Sequence, residues 1–513
     1  MLARTFGSAV YGVNAYKIAI EVNADKGTLV SMVGLPDAAV KEAQQRIRAA
    51  LINSDLKHPV RNYTINMAPA DIRKEGTAYD LPLALGLLAA TGQMKSEELD
   101  GYVIMGELSL DGSIRPIRGG LPMAIQAARD DFKGIIVPFE NAQECSVVDD
   151  LKVYGARHIR EVVEFFNGNH SLSYFPFDKD RFSELQTTKF SFDFEDVKGQ
   201  AGLKRAFEIA AAGGHNIILI GPPGAGKTML AKRLPSILPP LSLEEALETT
   251  KIHSVAGKVK RSDELVVNRP FRNPHHSISD VALVGGGSFP QPGEISLAHN
   301  GVLFLDELPE FKRTVLEVMR QPLEERNVCI SRSKFSVEFP ASFMLVASMN
   351  PCPCGYFNHP DKECSCPPGA VQRYLNKISG PLLDRIDLHV EVTPVSFSQL
   401  QKIEKGEGSS EIRVRVTQSR KIQSRRFEGS KIHYNAQMGS AEMEKHCLLD
   451  EDSKNILNLA MNRLKLSARA YHRIVKVART IADLEGVERI TASHISEAIQ
   501  YRSLDKENWG ITA

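Results

Sequence analysis

Apolar and polar residues alternate in two stretches near the start of the chain, "YKIAIEVNA" (16–24) and "YTINMAP" (63–69), and this alternation predicts strands. Between them, "AAVKEAQQRIRAALINS" (38–54) repeats its apolar positions at helical spacing, which predicts an amphipathic helix. The stretch 102–117 carries an Asp-Gly pair between short apolar runs, the signal of a tight hairpin. We therefore predict one α/β domain over residues 1–167.

The pattern changes twice along the rest of the chain. Residues 168–190 lose periodicity and are predicted to form a linker. Over 191–395, short apolar runs alternate with helical patterns, which is typical of an α/β domain with a parallel sheet. Residues 396–513 are charged and mostly helical in pattern, most clearly at 467–486 and 491–502, and are predicted to form a C-terminal helical domain.

Composition narrows the class of protein. The chain has 513 residues, 42% of them apolar, and a net charge of +1, so any contact with nucleic acid must use local basic patches. The longest apolar stretch, residues 81–92, is too short to span a bilayer, and the first residues show no secretory signal pattern. We expect a cytoplasmic protein with no membrane contact, in which clustered cysteines are metal ligands and not disulfides.

A phosphate-binding motif follows an apolar strand in "IILIGPPGAGKTML" (217–230). Its spacing matches G-x-x-x-x-G-K-[ST], in which glycines let backbone N–H groups surround phosphate oxygens. We expect Lys227 to reach the β- and γ-phosphates of ATP and the Thr228 hydroxyl to bind Mg²⁺. The nucleotide-binding residues of this loop are Gly221, Pro222, Pro223, Gly224, Ala225, Gly226, Lys227 and Thr228.

A second apolar strand, in "GVLFLDELPEF" (301–311), ends in two acidic residues. An acidic side chain at the end of a buried strand is costly unless it has a partner or a chemical role. We expect Asp306 to hold Mg²⁺ and Glu307 to polarise the water that attacks the γ-phosphate.

A third strand, in "SFMLVASMNP" (342–351), ends at Asn350, whose amide is expected to orient the attacking water or to touch the γ-phosphate. The alternative is an asparagine that caps a turn. Arg385 follows in "SGPLLDRIDLHVEV" and is expected to act on the ATP of a neighbouring subunit. A local salt bridge with Asp384 or Asp387 is the alternative.

An arginine at the start of the helix 467–486 completes the expected nucleotide site. Arg469 is the first candidate to reach the γ-phosphate of its own subunit, and Arg473, one turn later, is the second. The alternative is a surface arginine without a catalytic role.

Four of the seven cysteines lie close together in the stretch 352–366. Four thiolates can complete a tetrahedral Zn²⁺ site, with His359 as a possible substitute ligand; free thiols and redox sensing are the alternatives. A structural metal would stiffen a Pro- and Gly-rich segment between Asn350 and Arg385. The expected ligands are Cys352, Cys354, Cys364 and Cys366.

This set of motifs, in this order, resembles the AAA+ ATPases. The stretches 269–311 ("RPFRNPHHSISDVALVGGGSFPQPGEISLAHNGVLFLDELPEF") and 348–355 ("SMNPCPCG") are similar to the magnesium-chelatase-like ATPases of the ComM/YifB family, and the similarity covers essentially the whole chain. The resemblance implies a hexameric ATPase that works on DNA, where ComM-type members drive branch migration of transforming DNA. Carried over by motif, it implies Walker A at 221–228, Walker B at Asp306 and Glu307, sensor 1 at Asn350, the arginine finger at Arg385 and sensor 2 at Arg469.

The N-terminal domain resembles the Lon protease fold in the stretches 73–93 and 106–124. Where that family keeps its nucleophile and its lysine, this chain has Ala78 and Pro122, and neither can attack a carbonyl or accept a proton. Thr77 is an adjacent hydroxyl, but no lysine stands in place to activate it. We therefore expect no peptidase activity, and a role in assembly or DNA binding instead.

Three segments are candidates for nucleic-acid contacts. A hairpin is predicted at 328–340 around Arg332 and Lys334, and related hexamers line their central pore with such hairpins. The segment 281–299, rich in glycine, resembles a loop facing the same channel. Ordinary exposed loops are the alternative for both. The basic stretch 412–429 is equally a solvated helix face or a DNA face; its cations are Arg413, Arg415, Arg420, Lys421, Arg425 and Arg426.

Taken together, the sequence predicts a ring-forming, Mg²⁺- and ATP-dependent DNA motor, a branch-migration helicase. One alternative is a magnesium-chelatase motor subunit, which the Lon-like domain and the cysteines disfavour, as does the lack of an evident integrin-type domain. Another is an ATPase that remodels proteins or loads them onto DNA. A non-catalytic scaffold is disfavoured because every position of the nucleotide site is filled.

Overall fold

The computed structural model describes residues 2–58, 60–178, 182, 186, 190–259, 265–287, 290–332, 335–359, 361–393, 406–430, 432–464 and 466–502. These residues form an N-terminal α/β domain around an eight-stranded sheet, a central α/β domain around a five-stranded sheet and a C-terminal group of helices. The α/β class predicted from the sequence is confirmed.

The N-terminal sheet has the order β10-β9-β8-β5-β1-β2-β4-β3, and β6 and β7 form a separate hairpin. The strand predicted at 16–24 lies within β2, the strand predicted at 63–69 lies within β4 except for its last residue, and the hairpin predicted within 102–117 is β6–β7. In chain order the strands are β1 Leu2–Tyr11, β2 Asn14–Asp25, β3 Val30–Val33, β4 Asn62–Ala68, β5 Tyr102–Ile104, β6 Glu107–Leu108, β7 Ile114–Arg115, β8 Gly134–Pro138, β9 Lys152–Ala156 and β10 Ser173–Phe175.

Helices cover this sheet. The predicted helix spans Ala38–Asn53 and buries apolar side chains at helical spacing, among them Val40, Ala43 and Ile47. It begins where the Asp37 carboxylate accepts the Val40 N–H at 2.8 Å, an N-cap. The domain's other helices are Asp80–Ala90, Gly120–Arg129, Phe139–Cys145 and Ile159–Asn167.

The longest apolar stretch of the chain is a core helix. Every residue of Asp80–Ala90 is buried, and the helix packs on β1 and β2. Within the part of the chain that the structure describes, no helix is both long enough and apolar enough to cross a bilayer.

The predicted linker is shorter than expected at its start. Ser173–Phe175, placed in the linker 168–190, forms strand β10 and pairs antiparallel with β9, so it belongs to the N-terminal sheet. A three-residue strand is too short to show alternation in the sequence, which is why the pattern missed it. Most of 179–189 lies outside the described residues.

The central sheet has the order β12-β15-β18-β11-β19, with every neighbouring pair parallel. Two antiparallel hairpins, β13–β14 and β16–β17, project from it. The strands are β11 Ile217–Ile220, β12 Phe271–Arg272, β13 Gly285–Gly286, β14 Gln291–Pro292, β15 Val302–Leu305, β16 Asn327–Arg332, β17 Phe335–Pro340, β18 Met344–Met349 and β19 Leu388–Glu391. The helices are Ala201–Gly213, Lys227–Ala231, Leu234–Ile237, Leu243–Val255, Asp280–Val284, Glu294–Leu297, Arg313–Val318, Arg320–Glu325, Ala370–Leu375 and Gly380–Leu383.

The C-terminal helices pack against the central domain. The two clearest predicted helices are confirmed as Ala468–Leu484 and Ala492–Gln500, and the first of them packs on Ala201–Gly213. The remaining helices are Ser409–Arg426, Ser440–His446 and Glu451–Leu464. The predicted domain boundary at 395–396 lies outside the described residues.

The parallel order of the central sheet positions the site. Because the carboxyl ends of parallel strands meet at one edge, the residues that follow β11, β15 and β18 come together there. These residues are the phosphate loop at 221–228, the acidic pair at 306–307 and Asn350.

Candidate active site

The phosphate loop, residues 221–228, leads directly from β11 into helix Lys227–Ala231. Gly224 and Gly226 have φ angles of 80° and 84°, a left-handed backbone that favours glycine. The Gly221 N–H donates to the Met349 carbonyl at 3.2 Å, which ties the start of the loop to the end of β18. The loop is therefore joined to the strand that delivers Asn350.

Lys227 is buried, and its ammonium group is held by oxygens of its own chain. Nζ donates to the carbonyls of Gly221 at 2.6 Å and Pro222 at 2.9 Å, and to Asn350 Oδ1 at 3.1 Å. Burial lowers the pKa of Lys227, and the nearby Asp306 carboxylate offsets part of that shift. Because phosphate oxygens are acceptors of the same kind, they fit this donor group.

Asp306 holds two hydroxyl groups beside the loop. The Thr228 hydroxyl donates to Asp306 Oδ2 at 2.7 Å, and the Ser348 hydroxyl donates to Oδ1. Carboxylate and hydroxyl oxygens are the hard ligands that Mg²⁺ prefers, so the donor set fits this ion. Ser348 was missed in the sequence; its signal is a polar residue inside the apolar run of β18.

Glu307 has a left-handed backbone, with φ 54°, which is uncommon for a residue with a side chain. Its N–H donates to Ser348 Oγ at 3.3 Å. Its side chain is 56% exposed, and its carboxylate lies 3.9 Å from His276 Nδ1. The backbone is fixed while the carboxylate remains accessible, as a residue that positions water requires. His276 was given no role from the sequence.

A cleft of about 570 Å³ opens beside Glu307 and Asn350. Helix Ala370–Leu375 and the residues after it contribute two cations to its lining, Arg373 and Lys377. Lys377 pairs with Glu310 at 3.2 Å. Neither cation was predicted from the sequence, since spacing along the chain does not show that residues 373 and 377 share a cleft with residue 307.

Arg385 is buried within its own chain. Its guanidinium pairs with Glu324 and donates to the Pro381 carbonyl. Arg385 therefore forms a salt bridge within its own chain, but with the distant Glu324 and not with the neighbouring Asp384 or Asp387 considered from the sequence. The role of Arg385 toward a neighbouring subunit stays a prediction.

The two candidate arginines of helix Ala468–Leu484 differ in environment. Arg469 is 63% exposed and lies 3.5 Å from the Asp384 carboxylate. Arg473 donates to the buried Asp387 at 2.8 Å. Burial by itself would raise the pKa of Asp387, but Arg473 and His215 hold it well below its usual range. Arg473 thus joins the helix to the core, and Arg469 remains the exposed candidate.

The four clustered cysteines converge after Asn350. Their sulfurs all lie within 4.8 Å of one another, and the separations from Cys352 to Cys354 and Cys364 are 3.3 and 3.8 Å. Ligand sulfurs about 2.3 Å from a tetrahedral zinc ion lie about 3.8 Å apart, so the cluster fits Zn²⁺. The ligand group comprises the four cysteines, whereas His359 Nδ1 accepts the Asp361 N–H.

Comparison with known proteins gives full-length matches. Family models described as "Magnesium chelatase, subunit ChlI", "Subunit ChlI of Mg-chelatase" and "Magnesium chelatase, subunit ChlI C-terminal" match residues 193–400, 20–141 and 406–502. The competence protein ComM of Haemophilus influenzae is 45% identical over 512 residues, covering 98% of each chain. The uncharacterized protein YifB of Salmonella typhimurium is 45% identical over 509 residues, with the same coverage.

The chain belongs to the ComM/YifB family of magnesium-chelatase-like proteins. This membership confirms the resemblance seen in the sequence and identifies the central domain as an AAA+ ATPase domain. ATP and Mg²⁺ are the cofactors that the family implies.

The N-terminal domain of this ComM/YifB protein is Lon-like. Lon protease 2 of Bacillus subtilis is 30% identical over 159 residues, which cover 28% of this chain and 27% of the relative. Ala78 accepts the Gly106 N–H through its carbonyl, Pro122 is buried in helix Gly120–Arg129, and the Thr77 hydroxyl donates to Glu107. The Thr77 hydroxyl thus donates to a carboxylate. The absence of peptidase activity, expected because Ala78 and Pro122 replace the nucleophile and the lysine, stays a prediction.

Two of the candidate nucleic-acid segments form hairpins and short helices, and parts of both lie outside the described residues. The hairpin predicted at 328–340 is present as β16–β17, but Lys334 and the side chain of Arg332 lie outside the described residues. The segment 281–299 forms helix Asp280–Val284, the β13–β14 hairpin and helix Glu294–Leu297, and Phe289 is likewise undescribed.

Three cations of the basic helix Ser409–Arg426 form ion pairs or hydrogen bonds within the chain. Arg415 pairs with Glu208 and Glu407, Arg420 donates to the Ala211 carbonyl, and Arg426 pairs with Asp483. Neither of the two expectations, a solvated face or a DNA face, describes these three residues. The sequence showed a run of charges but not their partners, which come from residues outside this helix.

Proposed function

We propose that this chain is an ATP-dependent motor that assembles into a ring, a hexamer, and acts on single-stranded or branched DNA as a branch-migration helicase. The observation that carries the proposal is the convergence of Lys227, Thr228, Asp306, Glu307 and Asn350 at one edge of the central sheet. The near full-length similarity to a competence protein supports the choice of DNA as the substrate.

Each residue has a separable task in this proposal. Lys227 exchanges the carbonyls of Gly221 and Pro222 for phosphate oxygens. Thr228 and Asp306 hold Mg²⁺, which neutralises phosphate charge when bound. Glu307 accepts a proton from water in the cleft, and Asn350 orients that water. Arg385 and Arg469 complete the site, Arg385 from the neighbouring subunit of the ring.

Two other functions could use the same ATP site: a magnesium-chelatase motor and a loader of proteins onto DNA. In a chelatase motor, ATP hydrolysis would drive insertion of Mg²⁺ into a porphyrin. The Lon-like domain was taken from the sequence as an argument against this function, but a chelatase family model matches residues 20–141, so that argument does not hold. A loader would use the same ATP site to remodel proteins on DNA. The full-length match to ComM favours DNA over porphyrin.

ATP hydrolysis is expected to rise severalfold when branched DNA is added, with smaller effects of single-stranded and duplex DNA. The physical reason is that DNA bound in the channel of the proposed ring favours the assembled form, in which Arg385 of one subunit serves the site of its neighbour. The measurement is the rate of phosphate release with each DNA at one salt concentration, since phosphate contacts weaken with salt. Equal rates with and without every DNA would contradict the DNA role, and displaced strands would distinguish a motor from a loader.

We also propose that the cysteine cluster holds a structural Zn²⁺ ion. The apolar cluster around it is small and consists of Cys352, Phe357 and Val371, so apolar burial alone gives little to order this segment. Thiolate ligands persist in a reducing compartment, which agrees with a cytoplasmic location.

The zinc proposal predicts about one Zn²⁺ per chain, bound by four sulfurs, in protein purified without chelators. Cys352→Ser is expected to release it, because three sulfurs are left and the ligand removed is the buried one. Cys329→Ser is the matched control, since this thiol is exposed and lies outside the cluster. Elemental analysis and X-ray absorption decide the matter, and metal-free native protein would refute the proposal.

A further inference from the structure

The cysteine loop, residues 351–369, lies against the phosphate loop. It leaves β18 at Asn350, whose side chain accepts from Lys227, and it ends at helix Ala370–Leu375. Its first turn is closed by the Gly355 N–H, which donates to the Cys352 carbonyl at 3.0 Å. Two of the sulfur ligands, Cys352 and Cys354, belong to this turn.

The contact between the two loops is made by backbone and ring atoms. A Cβ atom placed on Gly355 would lie 2.6 Å from Pro223 Cδ and 3.3 Å from its Cγ, closer than non-bonded carbons tolerate. Gly355 also has a φ angle of 85°. The backbone of the cysteine loop therefore rests directly on the ring of a phosphate-loop proline.

The same turn forms part of the catalytic cleft. Pro353 lines the cleft together with Glu307 and Asn350. Tyr374, from helix Ala370–Leu375 at the far end of the cysteine loop, lines the same cleft. A displacement of the turn would change the cleft wall and the phosphate loop at once.

We propose that the metal-bound cysteine loop is a positioning element for ATP, which acts through the contact of Gly355 with Pro223. The proposal rests on the ATPase function and the zinc site proposed above. In it, Zn²⁺ fixes the turn at Cys352 and Cys354, the turn fixes Pro223, and the phosphate loop keeps the shape that binds phosphate. Gly355 is a positioning residue outside the phosphate loop, and Pro223 is the phosphate-loop residue through which it acts.

Gly355→Ala is expected to raise the KM for ATP on the order of tenfold while kcat changes much less, since a new Cβ displaces the phosphate loop. The matched control is Gly369→Ala at the other end of the same loop. Gly369 has a similar φ of 74°, but nothing lies within 4 Å of its added Cβ. The control therefore carries the same backbone strain without the contact.

A double-variant cycle separates contact from strain. Pro223→Ala removes the ring atoms that the new Cβ meets, so Gly355→Ala is expected to raise KM far less in that background. An equal effect in both backgrounds would overturn the proposal. Zinc content is measured for each variant, because the proposal expects Gly355→Ala to raise KM while its zinc is retained; a zinc-loaded Gly355→Ala with the native KM would also overturn it.

A second measurement tests the proposal on the native chain, so it does not depend on whether Gly355→Ala folds. Hydrogen exchange at residues 221–228 of the native chain is compared before and after the metal is removed by a chelator. Faster exchange in these amides supports the proposal, and unchanged exchange overturns it. A native chain without ATPase activity would instead refute the proposed function, and native protein without metal would refute the zinc site, so the three failures are distinguishable.

Discussion

Lys227→Ala is expected to weaken ATP binding on the order of a hundredfold or more, to the point where turnover is lost. The ammonium lies within hydrogen-bond distance of three oxygens around the loop, and ATP must replace them with phosphate oxygens. Hydrogen bonds to a charged group contribute up to about 3 kcal/mol, and alanine removes the charge and the donors together. Titration with a fluorescent ATP analogue measures the effect.

Lys232→Ala is the control for this experiment. Lys232 lies five positions further along and is exposed at the end of helix Lys227–Ala231, so its loss removes a similar charge without reaching the loop. We expect near-native affinity for this variant. If Lys227→Ala binds ATP as well as Lys232→Ala does, the nucleotide site is assigned to the wrong residues.

Glu307→Gln is expected to bind ATP normally and to hydrolyse it about 10²- to 10⁴-fold more slowly, the range for loss of a general base. Glutamine keeps the shape of the side chain and the backbone hydrogen bond to Ser348 but cannot accept the proton of water. Slow turnover should also trap the assembled ring in its ATP-bound form. Single-turnover hydrolysis and the size of the complex with ATP are the two readouts.

Glu310→Gln is the matched comparison, because Glu310 lines the same cleft three residues later and pairs with Lys377. Its loss should change the turnover rate much less than that of Glu307. Should Glu307→Gln hydrolyse ATP at the native rate, another group in the cleft positions the water, and His276, 3.9 Å from the Glu307 carboxylate, is the next residue to test.

Local patterns predicted the elements that carry the chemistry. The apolar runs before Gly221, Asp306 and Asn350 are short and buried, and each proved to be a strand of the central sheet. Such runs are visible in one dimension because burial on both faces leaves few polar positions in them, and Ser348 is the exception in β18. The short strand β10 gave no comparable signal, and it was placed in a linker.

Side-chain partners were harder to predict. The alternative considered for Arg385 was a salt bridge with Asp384 or Asp387, but Arg385 pairs with Glu324. Arg415 and Arg426 of helix Ser409–Arg426 pair with Glu208 and Asp483 on other helices. A run of charged residues shows only that each side chain needs a partner of opposite charge or contact with water. Which partner is chosen depends on how the helices pack, and helical packing is set by contacts that are distant along the chain.

The sequence by itself determined the identity of the phosphate loop, the acidic pair after β15 and the four thiols, since each is a contiguous motif whose residue types and spacing are dictated by its ligand. Only the tertiary structure decided that Ser348 binds Asp306, that Arg373 and Lys377 line the same cleft as Glu307, and that Gly355 rests on Pro223. These relations join separate segments through the order of the parallel strands. Spacing along the chain carries no information about such contacts, because close packing and not sequence separation sets which atoms meet.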